Sequence, residues 1–105
     1  MYLNLSTIPS KEIMPGLHGK LVHTENMSLV FWEVEEGAEV HDHAHMNEQV
    51  MHVIEGNFEL TLDGDTKVYH QGDLVVIAPY KKHSGKALTP CKLMDVFSPV
   101  REEYK

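Results

Sequence analysis

Apolar side chains come in short runs of strand length, separated by frequent Gly, Pro and Asp punctuation. Phe58, Leu60 and Leu62 alternate with Glu59, Thr61 and Asp63. That period of two predicts a half-buried strand. Asp63-Gly64-Asp65 follows as a hairpin turn, since Gly supplies the positive φ that tight hairpins need, and Val68 to His70 is expected to run back. Leu74 to Ala78 (LVVIA) is a continuous apolar run, which predicts a strand covered on both sides. Further breaks fall at Pro15-Gly16, Glu36-Gly37, Gly56-Asn57, Gly72-Asp73, Pro79, Gly85, Pro90 and Pro99. Val40 to Ile54 is the one stretch that tolerates a helix. The apolar, partly β-branched segment Val50 to Ile54, stopped at Glu55-Gly56, favours a strand instead. Many short strands at near-regular spacing predict an all-β barrel or sandwich.

Length and composition narrow this picture. At 105 residues with 42% hydrophobic and 24% charged positions, the chain is read as one globular domain over residues 1–105. No apolar run approaches the ~18 residues of a membrane span, and Met1 to Ser10 lacks a basic start and apolar core. Nine basic against 16 acidic side chains give a net charge of −7, which disfavours nucleic acid and anionic membranes as partners. The lone cysteine, Cys91, excludes an intramolecular disulfide. These features fit a cytoplasmic location. The chain ends, Met1 to Pro9 and Arg101 to Lys105, are expected to be mobile or to dock on a partner.

Histidine adds candidate chemistry. The chain has eight, and three crowd together at His41, His43 and His45. On a strand, the i, i+2 spacing of His43 and His45 would aim both imidazoles to one face, and Gln49, Met51 and Val53 share that parity. His83 follows the predicted Leu74 to Ala78 strand after the turn at Pro79. Three imidazoles and one carbonyl oxygen form a mixed N/O set suited to Zn, Fe, Mn, Ni or Co, without separating them. A polar surface loop explains His43-Ala44-His45 equally well. His41 reads as a rim residue, His52 has opposite parity, and His18, His23 and His70 read as surface or turn positions. Asp95 is distinctive because it interrupts an otherwise apolar strand (Leu93, Val96, Phe97), where a carboxylate needs a partner; a strand-end pairing with Lys is the bland alternative. Trp32 reads as barrel packing or a dimer contact, and Cys91 as inert.

Two stretches resemble the motifs of the cupins. The first, residues 37–56, is Gly37, five residues, His43-x-His45, three residues, Gln49, six residues, Gly56, with Gln49 where most cupins carry Glu. The second, residues 72–83, runs from Gly72-Asp73 through the apolar strand and Pro79 to His83, with a shortened Pro-to-His spacing and no trailing Asn. The tail Asp95-Val96-Phe97-Ser98-Pro99-Val100-Arg101 is similar to that of the small cupins of pectin and alginate degradation, which linearise 4,5-unsaturated uronates to open-chain keto sugars. Asn47 stands where that group often has His. The resemblance implies a double-stranded β-helix (jelly-roll) barrel holding one divalent transition metal ion on His43, His45, Gln49 and His83. It further implies Asp95 as acid/base, Phe97 against the sugar ring, Arg101 as clamp for the substrate carboxylate, and a small anionic sugar as ligand. A homodimer is also implied, with the segment Tyr2 to Leu5 pairing across subunits as a strand. A cupin dioxygenase using Fe(II), or a non-enzymatic metal- or sugar-binding module, would suit the same ligand set.

Overall fold

A computed structural model describes residues 1–105. It contains ten strands: β1 (Lys11–Met14), β2 (Leu17–His23), β3 (Ser28–Val34), β4 (Glu39–His43), β5 (Glu48–Glu55), β6 (Phe58–Leu62), β7 (Asp65–Tyr69), β8 (Leu74–Ile77), β9 (His83–Ala87) and β10 (Cys91–Ser98). Every pairing is antiparallel. A six-stranded sheet, β1-β2-β3-β10-β5-β8, faces a four-stranded one, β4-β9-β6-β7. The two close around a core that includes Val30, Trp32, Met51, Val53, Phe58, Leu60, Ile77 and Leu93. This is the predicted all-β jelly-roll barrel.

Local rules account for most of the elements. The β6–β7 hairpin turns on Asp63 (φ 49°) and Gly64 (φ 85°), two positive-φ residues as a type I′ connection demands. Gly56 ends β5 at φ 91°, and a Cβ there would lie 2.3 Å from the Pro90 carbonyl oxygen. Alternation holds strictly in β10, where Cys91, Leu93, Asp95 and Phe97 are buried and Lys92, Met94, Val96 and Ser98 face outward.

Two sequence expectations fail here. Leu74 to Ala78 is not covered on both sides. The strand stops at Ile77 and lies at the sheet edge, with Leu74 60% and Val76 62% exposed and only Ile77 fully buried. Its apolar composition serves an outer face that carries one apolar row and one mixed row across five strands. One row is Val22, Leu29, Val96, Val50 and Val76, each opposite the next in register; the other is Lys20, Phe31, Met94, His52 and Leu74. Within the single chain Tyr2 to Leu5 forms no strand. Asn4 caps a 3-10 turn over Leu5–Thr7 through its side chain, because Asn side chains compete for local backbone N–H groups. The C-terminus, expected to be mobile or to dock on a partner, docks on its own barrel. Val100 and Arg101 are buried, and a 3-10 turn at Glu102–Tyr104 lays the Tyr104 ring edge-on against Trp32 and Phe97.

Candidate metal centre and adjoining acid site

His43 ends β4 and His83 begins β9, and the two residues are opposite one another in register. His45 lies beyond β4, in the loop leading to β5. The strand-parity argument for His43 and His45 therefore does not describe their placement; a loop bend after His43 brings His45 inward. His45 and His83 are buried and His43 half-buried. The ring centroids lie 4.3 Å apart for His43–His83, 5.0 Å for His45–His83 and 5.5 Å for His43–His45. One ring nitrogen from each falls within 4.8 Å of the other two.

Backbone carbonyls settle which nitrogens those are. His43 Nδ1 bonds to His41 O at 2.7 Å, His45 Nδ1 to Asn47 O at 3.0 Å and His83 Nδ1 to Lys81 O at 2.8 Å. A carbonyl can only accept, so each Nδ1 carries the proton. Each neutral ring then presents a bare Nε2 lone pair, the arrangement in which histidines ligate metals with the second nitrogen supported. Burial lowers the proton affinity of His45 and His83, with Arg101 adding to the effect on both. Gln49 completes the set, with Oε1 3.1 Å from His45 Nε2. Two acceptors that close repel unless a cation or proton lies between them. The donor set thus fits a divalent transition metal held by three nitrogens and one neutral oxygen.

Asp95 is joined to this set through Gln49. On β10 it sits opposite Met51 and Val30, so its diagonal neighbours are Gln49 on β5 and Trp32 on β3. Diagonal pairs lie within reach of long side chains. Gln49 Nε2 donates to Asp95 Oδ1 and Trp32 Nε1 to Asp95 Oδ2, both at 2.9 Å. Because Asp95 accepts from the Gln49 amide nitrogen, the Gln49 carbonyl must turn toward His45. Burial pushes the Asp95 carboxyl up to about 6, against the opposing pull of the Gln49 and Trp32 bonds.

A cavity of about 50 Å³ is lined by His43, Gln49, His83, Asp95, Phe97 and Tyr104, among others. It has room for an ion and a few waters. A larger cleft of about 380 Å³ opens outside it, where His41, His43, Arg101, Glu103 and Tyr104 contribute to the wall. Arg101 is buried, with its guanidinium carbon 5.5 Å from the Phe97 ring centre and 5.0 Å from that of Tyr104. The structure thus brings together all seven candidates, His43, His45, Gln49, His83, Asp95, Phe97 and Arg101, at one end of the barrel. His41 lies exposed at the rim, and His52 points away from the site along the outer face.

Several contributors escape the sequence reading. Trp32 is buried as expected, but it also orients Asp95. Asn47 is buried and donates to Pro99 O at 2.6 Å, tying the histidine loop to the chain after β10. Tyr104 walls both cavities. His23, read as a surface or turn residue, is half-buried and bonds Ser28 Oγ at 2.7 Å and Tyr104 O at 3.3 Å. Ser28 Oγ in turn accepts from Arg101 N at 2.8 Å. Only the parity of Trp32 with the β10 row was a usable sequence signal; the others depend on contacts between distant segments.

The neutral imidazoles predict an acid response. Unfolded His takes a proton near 6.5, whereas folded His45 and His83 resist it. Their contribution to stability is therefore present above about 6.5 and lost as pH falls. Asp95 acts with opposite sign, stabilising the fold when protonated and losing that contribution as pH rises through about 6. Thermal melts of metal-free protein from pH 7.5 to 5 are expected to show a steeper loss on acidification in Asp95→Asn than in wild type.

Residues 30–97 match the family described as Cupin domain. The pectin degradation protein KdgF of Dickeya dadantii (strain 3937) is 25% identical over 99 residues, covering 91% of this chain and 90% of that one. The structure of KdgF from Halomonas sp. superposes with a TM-score of 0.94 at 27% identity, over 100% of this chain and 98% of the other. An RmlC-like cupin from Shewanella frigidimarina NCIMB 400 gives 0.94 at 30% identity, over 99% and 95%. The histidine cluster, the barrel around it and these matches agree, and the chain belongs to the cupin family.

Proposed function

We propose that this cupin is a metal-dependent enzyme that opens the ring of a 4,5-unsaturated uronate. The observation that carries the reading is the hydrogen-bonded line Trp32–Asp95–Gln49, whose far end turns the Gln49 carbonyl toward His45 and so sets a buried carboxylate beside a three-imidazole cluster. The likeness to proteins called KdgF, one of them a pectin degradation protein, supports the substrate class. His43, His45, His83 and Gln49 would hold a divalent metal, which when bound polarises substrate oxygens and stabilises developing negative charge.

Ring opening removes a proton from the anomeric hydroxyl as the C1–O5 bond breaks, and the C5 enol then gains a proton at C4. One proton leaves and one returns, so the reaction is an isomerisation. Asp95 is the chain's proton carrier, with each oxygen fixed by one donor and further lone pairs available. The inner cavity is too small for a sugar, so the ring lies in the outer cleft. There the Arg101 guanidinium takes the substrate carboxylate, while Phe97 lines the inner cavity and backs the Arg101 guanidinium. The test is incubation with 4,5-unsaturated galacturonate, following loss of the C4=C5 ultraviolet band. Acceleration that disappears with chelator is expected; a rate equal to the spontaneous one rejects the proposal.

The dimer implied by the resemblance has a surface other than the N-terminal segment. The apolar row and the mixed row beside it on the six-stranded sheet span five strands, about 19 Å, and neither contains a carboxylate although the chain carries −7. A two-fold axis brings such a face against itself, so a second copy is its occupant. Val96→Glu places a carboxylate at its centre and is expected to weaken association roughly 100-fold. Sedimentation that shows wild type as a monomer, or the variant as an unchanged dimer, rejects this interface.

A further inference from the structure

Arg101 is paired asymmetrically. Its side chain is 6% exposed, while that of Glu103, which accepts from Arg101 Nη1 at 2.9 Å, is 71% exposed. Arg101 Nε is buried and has no hydrogen-bond partner. The flanking rings of Phe97 and Tyr104 cover guanidinium faces and leave its in-plane donors for acceptors. The Glu103 carboxylate has no part in the backbone bonds of the C-terminal turn, which run from Tyr104 N to Arg101 O and Lys105 N to Glu102 O. Both Arg101 and Glu103 line the outer cleft.

We infer that Glu103 is a specificity-determining residue: its carboxylate occupies Arg101 as an internal stand-in, and an anionic ligand must displace it to dock. The inference rests on the proposed use of Arg101 as a carboxylate clamp. It follows from chemistry the pair already displays, since Arg101 binds a carboxylate here, and binds it through a partner that solvent can reclaim. Because the Glu103 carboxylate stays solvated, pairing gains it little, so the competition is modest, a factor of about 1.5–5. A neutral ligand gains nothing from release of the guanidinium. Glu103 thereby lowers affinity for anionic ligands selectively, and keeps Arg101 paired between turnovers.

The test uses metal-loaded full-length protein and two probes that lack the reactive double bond, galacturonate and its uncharged methyl ester. Calorimetry compares wild type, Glu103→Gln, Glu103→Asp and Arg101→Lys. Glu103→Gln is expected to bind galacturonate about two- to fivefold more tightly with ester binding unchanged. Glu103→Asp restores the competing charge and should fall back toward wild type, and Arg101→Lys should loosen galacturonate alone. Unaltered or weaker galacturonate binding in Glu103→Gln overturns the inference. So do equal tightening of the ester and absence of galacturonate binding to either protein. Failure of the ring-opening reading is separate, because it appears as no acceleration of the unsaturated substrate by wild type.

Discussion

Asp95→Asn is expected to cut the ring-opening rate by about 10²–10⁴-fold, the range that a positioned acid/base group supplies. The protein should still fold and still take up one metal per chain. The geometry explains this combination. Asp95 accepts from Trp32 on one oxygen and from Gln49 on the other. An asparagine can satisfy Trp32 with its single oxygen, but its amide then faces the Gln49 amide. Relief comes from rotation of Gln49, which turns its NH₂ toward His45 and withdraws the fourth ligand oxygen. Three imidazoles remain. Metal affinity drops without being lost, and stability falls by about 1–3 kcal/mol, the cost of a disturbed buried hydrogen bond. Metal content by elemental analysis, set beside the ultraviolet rate assay, separates the two effects. Wild-type activity in the variant removes Asp95 from the chemistry; loss of fold is answered by Trp32→Phe, which frees one Asp95 oxygen while keeping the carboxylate.

His83→Ala is expected to abolish stable metal binding. His83 opens β9 directly opposite His43, and its ring is locked by Lys81 O. Loss of an outer support alone costs 10–100-fold in affinity, so loss of a ligand costs more. Two imidazoles and a neutral amide then remain, one of the imidazoles on a loop. Wild-type protein should melt at higher temperature as metal is added, following RT ln(1 + [M]/Kd), and the variant should show no such rise. The metal-free variant stays folded, within the roughly 0.5–3 kcal/mol of ordinary substitutions, so circular dichroism tells metal loss from unfolding. Acid has a related effect on wild type, because protons compete for the three Nε2 atoms. Metal retention equal to that of wild type in His83→Ala rejects the three-histidine centre.

Much of the barrel was legible because strand parity is local. Asp95 stood out as the carboxylate interrupting an otherwise apolar strand, and the Asp63-Gly64 pair announced its hairpin through the φ values it permits. The spacing of Gly37, His43, His45, Gln49 and Gly56, with Gly72 to His83, carried the family resemblance. Parity misled where the chain leaves regular structure. His45 lies past the end of β4, so its inward course comes from the loop that Asn47 ties to Pro99.

Composition misled for a related reason. The run Leu74 to Ile77 is as apolar as a doubly covered strand, yet it forms a sheet edge, since apolarity reports what a strand tolerates and not its place in the order. Sequence by itself determined the strand periods, the turn positions and the types of atom available as ligands. Tertiary structure alone decided that Trp32 and Gln49 share Asp95, that backbone carbonyls fix three histidine tautomers, and that Arg101, Glu103 and Tyr104 close the mouth. The Asp95 contacts join residues 63 and 46 positions apart and follow from sheet order and register, which no local pattern encodes. The histidine and Arg101–Glu103 contacts span two residues each and follow from loop and turn conformations that the packed barrel selects.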